Sequence, residues 1–340
     1  MNPDLLTLWE PHGRKEVGST AEFIAAVHDF LNPRVDTSSA SGDHEKNRGL
    51  FRGVPNADWD LMPSLPRSRT SRNKDWMTSE MLCDIEMQSL QQFMQKAPLY
   101  LDQRFLPHEP EPNRVKIKWL QLMQHYNART RLLDWTASAF AACYFAAVDN
   151  PDDDGAVWMV ECGAHADRMA ELFPEQFKTG SRILPIYGYQ KVTIKEADLV
   201  KRAELRAQLK LKSDALEKET VNKNAVSLEF TPCFMPTNRM SAQRGWFSCA
   251  SIIDVDHGEA VARAFDSSKF RNRGWCRRII IKRSAKSQIL RDLWHMNITA
   301  ESIYGGLDGL GRSMRELTDL LKPDHRRFTM EDGLLTQELK

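Results

Sequence analysis

The chain has 340 residues, 41% hydrophobic and 9% aromatic, enough apolar material for one large or two smaller packed domains. Lys and Arg number 47 against 46 Asp and Glu, a formal net charge of +1, so no global field steers the molecule to nucleic acid or an anionic membrane, and only a local patch could. Six dispersed cysteines without a C-x-x-C pair suit free thiols in a reducing, cytoplasmic compartment. In chain order, Asp4, Glu10, Arg14, Lys15 and Glu16 leave only Leu5 to Trp9 between charges, too little for a signal-peptide core. Ser19-Thr20-Ala21-Glu22 reads as a capping box that opens a helix through about Leu31, stopped by Pro33. Residues 34–47 are polar and loop-like, and Leu50 to Val54 reads as a short strand followed by an irregular, Pro-containing segment.

An amphipathic helix is predicted over 79–96, with Leu82, Ile85, Leu90 and Phe93 near one stripe, and another over 114–126. Ala137 to Val148 is apolar around nearly its whole circumference and predicts a buried helix, shorter than the ~20 residues that cross a bilayer. Ala156 to Val160 reads as a strand. The charged stretch 196–220 reads as a solvated helix with i,i+4 ion pairs. Ala250 to Val255 and Arg278 to Lys282 read as strands, with helices near 258–266, 286–295 and 310–321. Mixed rather than strictly alternating elements give an α+β fold class.

Two segments place charged or hydrogen-bonding side chains inside apolar stretches, where burial without partners is costly: Leu50-Phe51-Arg52-Gly53-Val54, and Gln124-His125-Tyr126 running into Thr130-Arg131-Leu132-Leu133-Asp134-Trp135-Thr136. Each has a structural reading. Arg52 could pair with Asp134, Thr136 could cap the apolar helix, and Arg131 with Asp134 could form a buried polar pair at the strand-to-helix turn. Asp152-Asp153-Asp154 lacks EF-hand spacing and reads as a solvated turn. There is no Gly-rich phosphate loop, H-E-x-x-H or G-x-S-x-G, so P-loop, zinc and hydrolase-elbow chemistry lack support, and no metal is expected.

Phe51-Arg52-Gly53 with Leu61-Met62-Pro63-Ser64-Leu65-Pro66-Arg67 resembles the opening signature of the FRG domain family, named for its aromatic-Arg-Gly motif. The Gln124 to Thr136 block with Tyr144-Phe145-Ala146 resembles that family's most specific segment. Arg239 to Phe247 is a third similarity, and Ile298 to Tyr304 with Leu307-Asp308-Gly309-Leu310 resembles the closing segment. Asn127-Ala128-Arg129 stands where the family carries a Gly-Leu-Pro-like turn, and Tyr304-Gly305-Gly306 where it carries Phe-Pro-Asp. The resemblance implies an N-terminal helical lead-in over 1–48, an FRG-like catalytic domain over 49–322 with a helical insertion at about 190–222, and a tail over 323–340.

Through the family, a more distant similarity to ADP-ribosyltransferase-like folds implies a mixed or antiparallel split sheet with surrounding helices. It also implies catalytic roles for Arg52, Thr136 and Glu301. NAD would be the substrate, held by Arg52, Gly53, His125, Tyr126, Thr136 and Gln243, with Gln243 and Arg244 alternatively presenting the acceptor. Cleavage of the nicotinamide–ribose bond passes through an oxocarbenium-like state that a carboxylate such as Glu301 can stabilise, while an Arg fork binds phosphate or ribose oxygens. The acceptor would be a protein or a nucleic acid, RNA included. A toxin or phage-defence effector with a neutralising antitoxin-like partner, and no membrane, fits such chemistry. Two other classes stay open: a non-catalytic nucleotide-sensing or interaction module, and a nuclease-like phosphodiesterase using His125, Arg52 and Arg131.

Overall fold

Seven strands, β1 (Lys15–Val17), β2 (Gly49–Val54), β3 (Leu133–Thr136), β4 (Gly155–Glu161), β5 (Leu228–Pro232), β6 (Gly245–Ala250) and β7 (Cys276–Ile281), form one mixed sheet of order β1-β7-β4-β2-β3-β6-β5. Only the β1–β7 pairing is parallel. The computed structural model describes residues 3–32, 49–70, 76–108, 112–173, 226–234, 243–266 and 274–320. The charged stretch 196–220, the insertion expected at 190–222, the tail 323–340 and Arg239 to Ala242 lie outside the described residues. Helices in chain order are α1 (Pro3–Trp9), α2 (Thr20–Leu31), α3 (Ser64–Thr70), α4 (Ser79–Lys96), α5 (Pro112–His125), α6 (Ala139–Ala147), α7 (Cys162–Leu172), α8 (His257–Phe265), α9 (Arg283–His295), α10 (Ala300–Tyr304) and α11 (Gly306–Leu320). Among the described residues no helix is long and apolar enough to cross a membrane.

Strand β4 explains the layering. Ala156, Trp158 and Val160 join one core with Leu5, Leu8 and Trp9 of α1 and Ala260, Val261 and Phe265 of α8. Val157 and Met159, on the other face, join α2, α6, α9 and α10 through Phe23, Ala146, Ile289 and Ile303. Because side chains alternate across a strand, a strand covered on both faces must be apolar throughout, and β4 is buried from Gly155 to Val160. A third core joins α4 and α5 to Leu132 and Phe247, fixing the end of α5 against β3 and β6.

Helix α6 lies directly on β2 and β4 because two glycines let the backbones meet. A Cβ on Gly53 would sit 1.9 Å from the Ala142 carbonyl oxygen, and one on Gly155 2.1 Å from that of Ala146. The helix contributes mostly alanines to this contact, which is why its all-round apolar sequence reads correctly as buried.

Several sequence expectations need correction. The apolar helix begins at Ala139 and is capped by Ser138, whose Oγ accepts from the Ala141 N–H at 3.2 Å, and not by Thr136. At α2 the Ser19 Oγ accepts from Glu22 N–H as expected, but the Glu22 carboxylate reaches back to Gly18 N–H at 2.8 Å. The strand expected over Ala250 to Val255 ends at Ala250; the chain then turns so that Asp256 can cap α8. The N-terminal lead-in carries the sheet's edge strand β1 as well as α1 and α2, and buries Trp9 in the core. Arg131 does not pair with Asp134; it is buried against Glu86 of α4 at 2.6 Å. Asp154 is no bare turn residue, since its carboxylate takes the Arg283 N–H at the start of α9 at 2.8 Å and the Lys282 Nζ at 3.3 Å.

Candidate functional site

The ladder between β2 and β3 consists of a single registered pair, Phe51 with Thr136, whereas β2 and β4 run in register from Gly49 to Val54. Beyond that pair the two strands part. A cavity of about 700 Å³ opens there, lined from β2 by Phe51, Arg52 and Gly53 and from β3 by Asp134, Trp135 and Thr136. The end of α5 adds Gln124 and His125, and the next turn adds Asn127 and Arg129. Phe145 of α6, Asp149, Asn150, Gln243, Trp246 and Tyr304 complete the walls with Trp59.

Arg52 spans the gap between the strands. Its Nη1 donates to the Asp134 carbonyl at 2.6 Å, standing where a ladder partner is missing, and lies 4.0 Å from the Asp134 carboxylate. The side chain is 19% exposed while that of Asp134 is 63% exposed, so the carboxylate faces water and compensates the guanidinium weakly. Burial pulls the Arg52 guanidinium below its ordinary range and Asp134 acts in the opposite direction. The Arg52 Nε is buried and has no hydrogen-bond partner among the described residues. A buried donor without a partner is costly, and an anion against the guanidinium would offset the burial of its charge.

Thr136 is buried and its hydroxyl is engaged: it donates to the Gln243 carbonyl at 2.5 Å and accepts from the Ser138 N–H at 2.9 Å. It therefore ties the start of α6 to the Gln243 turn, and brings Gln243 to the cavity through its backbone. Gly53 lines the cavity but owes its identity to the approach of α6. His125 is half-buried in the wall; its neighbour Tyr126 is exposed, in edge contact with His125 at 5.1 Å, and does not line the cavity. Glu301 is exposed on α10, and it too is not a lining residue. Tyr304, one turn later on the same helix, is. The structure thus brings together Arg52, Gly53, His125, Thr136 and Gln243, and leaves Tyr126 and Glu301 outside.

Asn127 explains one departure from the family pattern. Its φ of 62° is left-handed, a conformation that Gly adopts freely and Asn tolerates best among other residues. Thr130 joins the same turn to the wall: its hydroxyl donates to the Gln124 side chain and its carbonyl accepts from the Leu65 N–H at 3.1 Å. Behind β3, the Trp135 indole donates to Ser248 Oγ at 2.8 Å and Ser248 meets His257 Nδ1 at 2.7 Å. Burial, with the Arg52 and Arg131 charges, lowers His257 to about 3, so this network is neutral and buttresses the wall.

Sequence reasoning missed Trp59, Asp149, Asn150 and Trp246. A lone tryptophan after the Pro55-Asn56 turn, 45% exposed, was the available signal for Trp59; the others carry none beyond ordinary turn and strand composition. Comparison with curated proteins and with solved structures found no match in either. The model of one family does match, over a stretch that contains the first two sequence blocks and ends before the third and fourth: residues 47–155, holding Arg52, the β2–β3 gap and both glycines under α6, match the FRG domain.

Proposed function

We propose that the cavity between β2 and β3 is a nucleotide-binding site that takes NAD. The observation that carries this reading is Arg52, a lining residue of a cavity of about 700 Å³ whose guanidinium is largely withdrawn from water and compensated, among the described residues, only by the exposed carboxylate of Asp134. A diphosphate supplies the oxygens such a fork binds. The walls supply the rest: Trp59, Phe145, Trp246 and Tyr304 offer flat apolar surface for bases, and Gln124, Asn127, Asn150 and Gln243 offer amides for their polar edges.

Transfer of ADP-ribose from NAD to a protein or nucleic-acid acceptor, or hydrolysis of NAD, is the second step of this proposal. It calls on Glu301, exposed on α10 one helical turn before the lining residue Tyr304, as the carboxylate for an oxocarbenium-like ribose. Asp134 and Asp149 are the carboxylates already in the wall. Arg131, tied to Glu86, is not available to the phosphodiesterase reading.

Calorimetric titration with ADP-ribose, together with incubation of the protein with labelled NAD and cell extract, tests both steps. Wild type should bind, and Arg52→Ala should weaken binding by tenfold or more, about 1.4 kcal/mol. Nicotinamide release and label transfer that fall in Glu301→Gln support turnover; binding without release supports a sensing module. No binding of ADP-ribose by wild type overturns the proposal.

A further inference from the structure

Lys286 of α9 is 2% exposed, and its ammonium reaches three backbone carbonyls: Pro55 at 2.7 Å, Asn150 at 2.8 Å and Asp149 at 3.0 Å. All three acceptors belong to residues that line the cavity, yet Lys286 itself does not line it. A lysine has three donors and no acceptor, so this ammonium is saturated by one set of main-chain oxygens. The carbonyls come from two separate pieces of wall, the end of β2 and the turn between α6 and β4. Charge-assisted bonds in a dry setting hold such pieces more firmly than neutral ones would.

The turn needs this restraint. Asn150 has a φ of 51°, a left-handed conformation, and its carbonyl accepts from the Asp153 N–H at 3.1 Å as well as from Lys286. Room for the lysine stem comes from Gly155, where an added Cβ would lie 3.3 Å from the Lys286 Cε. In the sequence, Lys286 occupies the apolar stripe of α9 with Ile289 and Leu293, the place where a charge has to be explained.

We infer that Lys286 is a positioning residue for the cavity: by clasping the carbonyls of Pro55, Asp149 and Asn150 it fixes the wall that presents Asp149 and Asn150 to the ribose hydroxyls of the bound nucleotide. The ribose part rests on the nucleotide reading above. Arg52, on β2, deals with phosphate and is braced across the gap by the Asp134 carbonyl, a support that Lys286 does not supply.

Lys286→Met keeps the stem and removes the donors. Affinities for ADP-ribose and for inorganic pyrophosphate, measured on the full chain by calorimetry, separate the two supports, and amide hydrogen exchange follows the turn directly. Lys286→Met should bind ADP-ribose about tenfold or more weakly, bind pyrophosphate within about twofold of wild type, and lose protection at the amides of 149–153 before those of β4 and β7. Equal losses for both ligands, or no loss for either, overturn the inference. If Lys286→Met does not fold, Lys286→Gln, which keeps an amide donor, should give the same split with a smaller loss. If wild type binds neither ligand, the nucleotide reading fails, and the exchange pattern alone decides whether Lys286 holds the wall: protection of 149–153 unchanged in the variant overturns it.

Discussion

Gly53→Ala tests how the aromatic-Arg-Gly motif works. The new methyl would stand 1.9 Å from the Ala142 carbonyl oxygen and 2.8 Å from both the Ala142 carbonyl carbon and the Ala146 nitrogen. These are backbone atoms of α6, so no rotamer change can relieve the clash, and helix or strand must retreat by roughly 1.5 Å to regain ordinary van der Waals separation. Overpacking costs about 1–3 kcal/mol where side chains can adjust; with backbone on both sides, a loss of at least ~3 kcal/mol is expected. Retreat would also drag Phe145, and the turn at Asp149 and Asn150, out of the cavity wall, so ligand affinity should fall with stability. Urea unfolding followed by tryptophan fluorescence measures the first effect, as a lowered midpoint at unchanged slope. Gly155→Ala should behave alike, and the double variant should lose less than the two single losses together, because one displaced helix relieves both clashes. Gly311→Ala on α11, with nothing within 4 Å of the added methyl, should instead stabilise by up to about 1 kcal/mol. A Gly53→Ala protein within about 0.5 kcal/mol of wild type would refute the packing account of this glycine.

Arg131→Met leaves the Glu86 carboxylate buried without its partner and should cost about 3–5 kcal/mol in urea unfolding, whereas the double variant Glu86→Leu, Arg131→Met should recover most of that loss. Equal losses in single and double variants would sink the idea that an orphaned charge is the cause. His165, 1% exposed between Phe230 and Phe265, is lowered to about 3 by burial. The unfolded chain takes up this proton near pH 6.5 and the folded one only near 3, so acid destabilises through this window and nothing changes above it. His165→Phe should therefore gain on wild type by about 2 kcal/mol between pH 7 and pH 5, measured by unfolding at both pH values. His257, with the same sign, and Asp256, raised to about 6 with the opposite sign, cancel in that comparison. A pH-independent difference would show that His165 is not held neutral.

Elements governed by local chemistry were legible in the sequence. The α2 cap, the extent of α4 and the buried α6 could be read because capping, period and all-round apolarity are properties of neighbouring residues, although Ile85 of the expected α4 stripe is exposed and Glu86 is buried beside Leu82 and Leu90. The parallel edge pairing of β1 with β7 could not, since its residues are some 260 positions apart and three residues carry little pattern. Partner choice among polar residues was misread for the same reason: Arg131 and Asp134 are near in sequence, but Arg131 lies in the bend before β3, where Glu86 of α4, 45 positions away, meets it while Asp134 stays at the surface. Of the site, Arg52 and His125 stood out as polar groups in apolar runs. Trp59, Asp149 and Asn150 did not, because turn residues look alike whether or not a cavity adjoins them.

The motif residues and the wall residues divide the labour of this site. Gly53 seats α6, Thr136 ties that helix to the Gln243 turn, and Arg131 anchors β3 to α4; each sets where the strands part, and none needs a ligand for its partners to be satisfied. Arg52 alone among them does both, bracing the missing ladder position at Asp134 and lining the cavity with a guanidinium that is poorly compensated. Trp59, Asp149, Asn150 and Tyr304 of the wall come from turns and helix ends outside the sheet. Substitutions in the motif should therefore lower stability and binding together, while those in the wall, Trp59→Ala first, should lower binding at nearly constant stability. A frame built this way can persist while its wall changes, so on the proposed reading the frame identifies the fold and the wall decides what is bound.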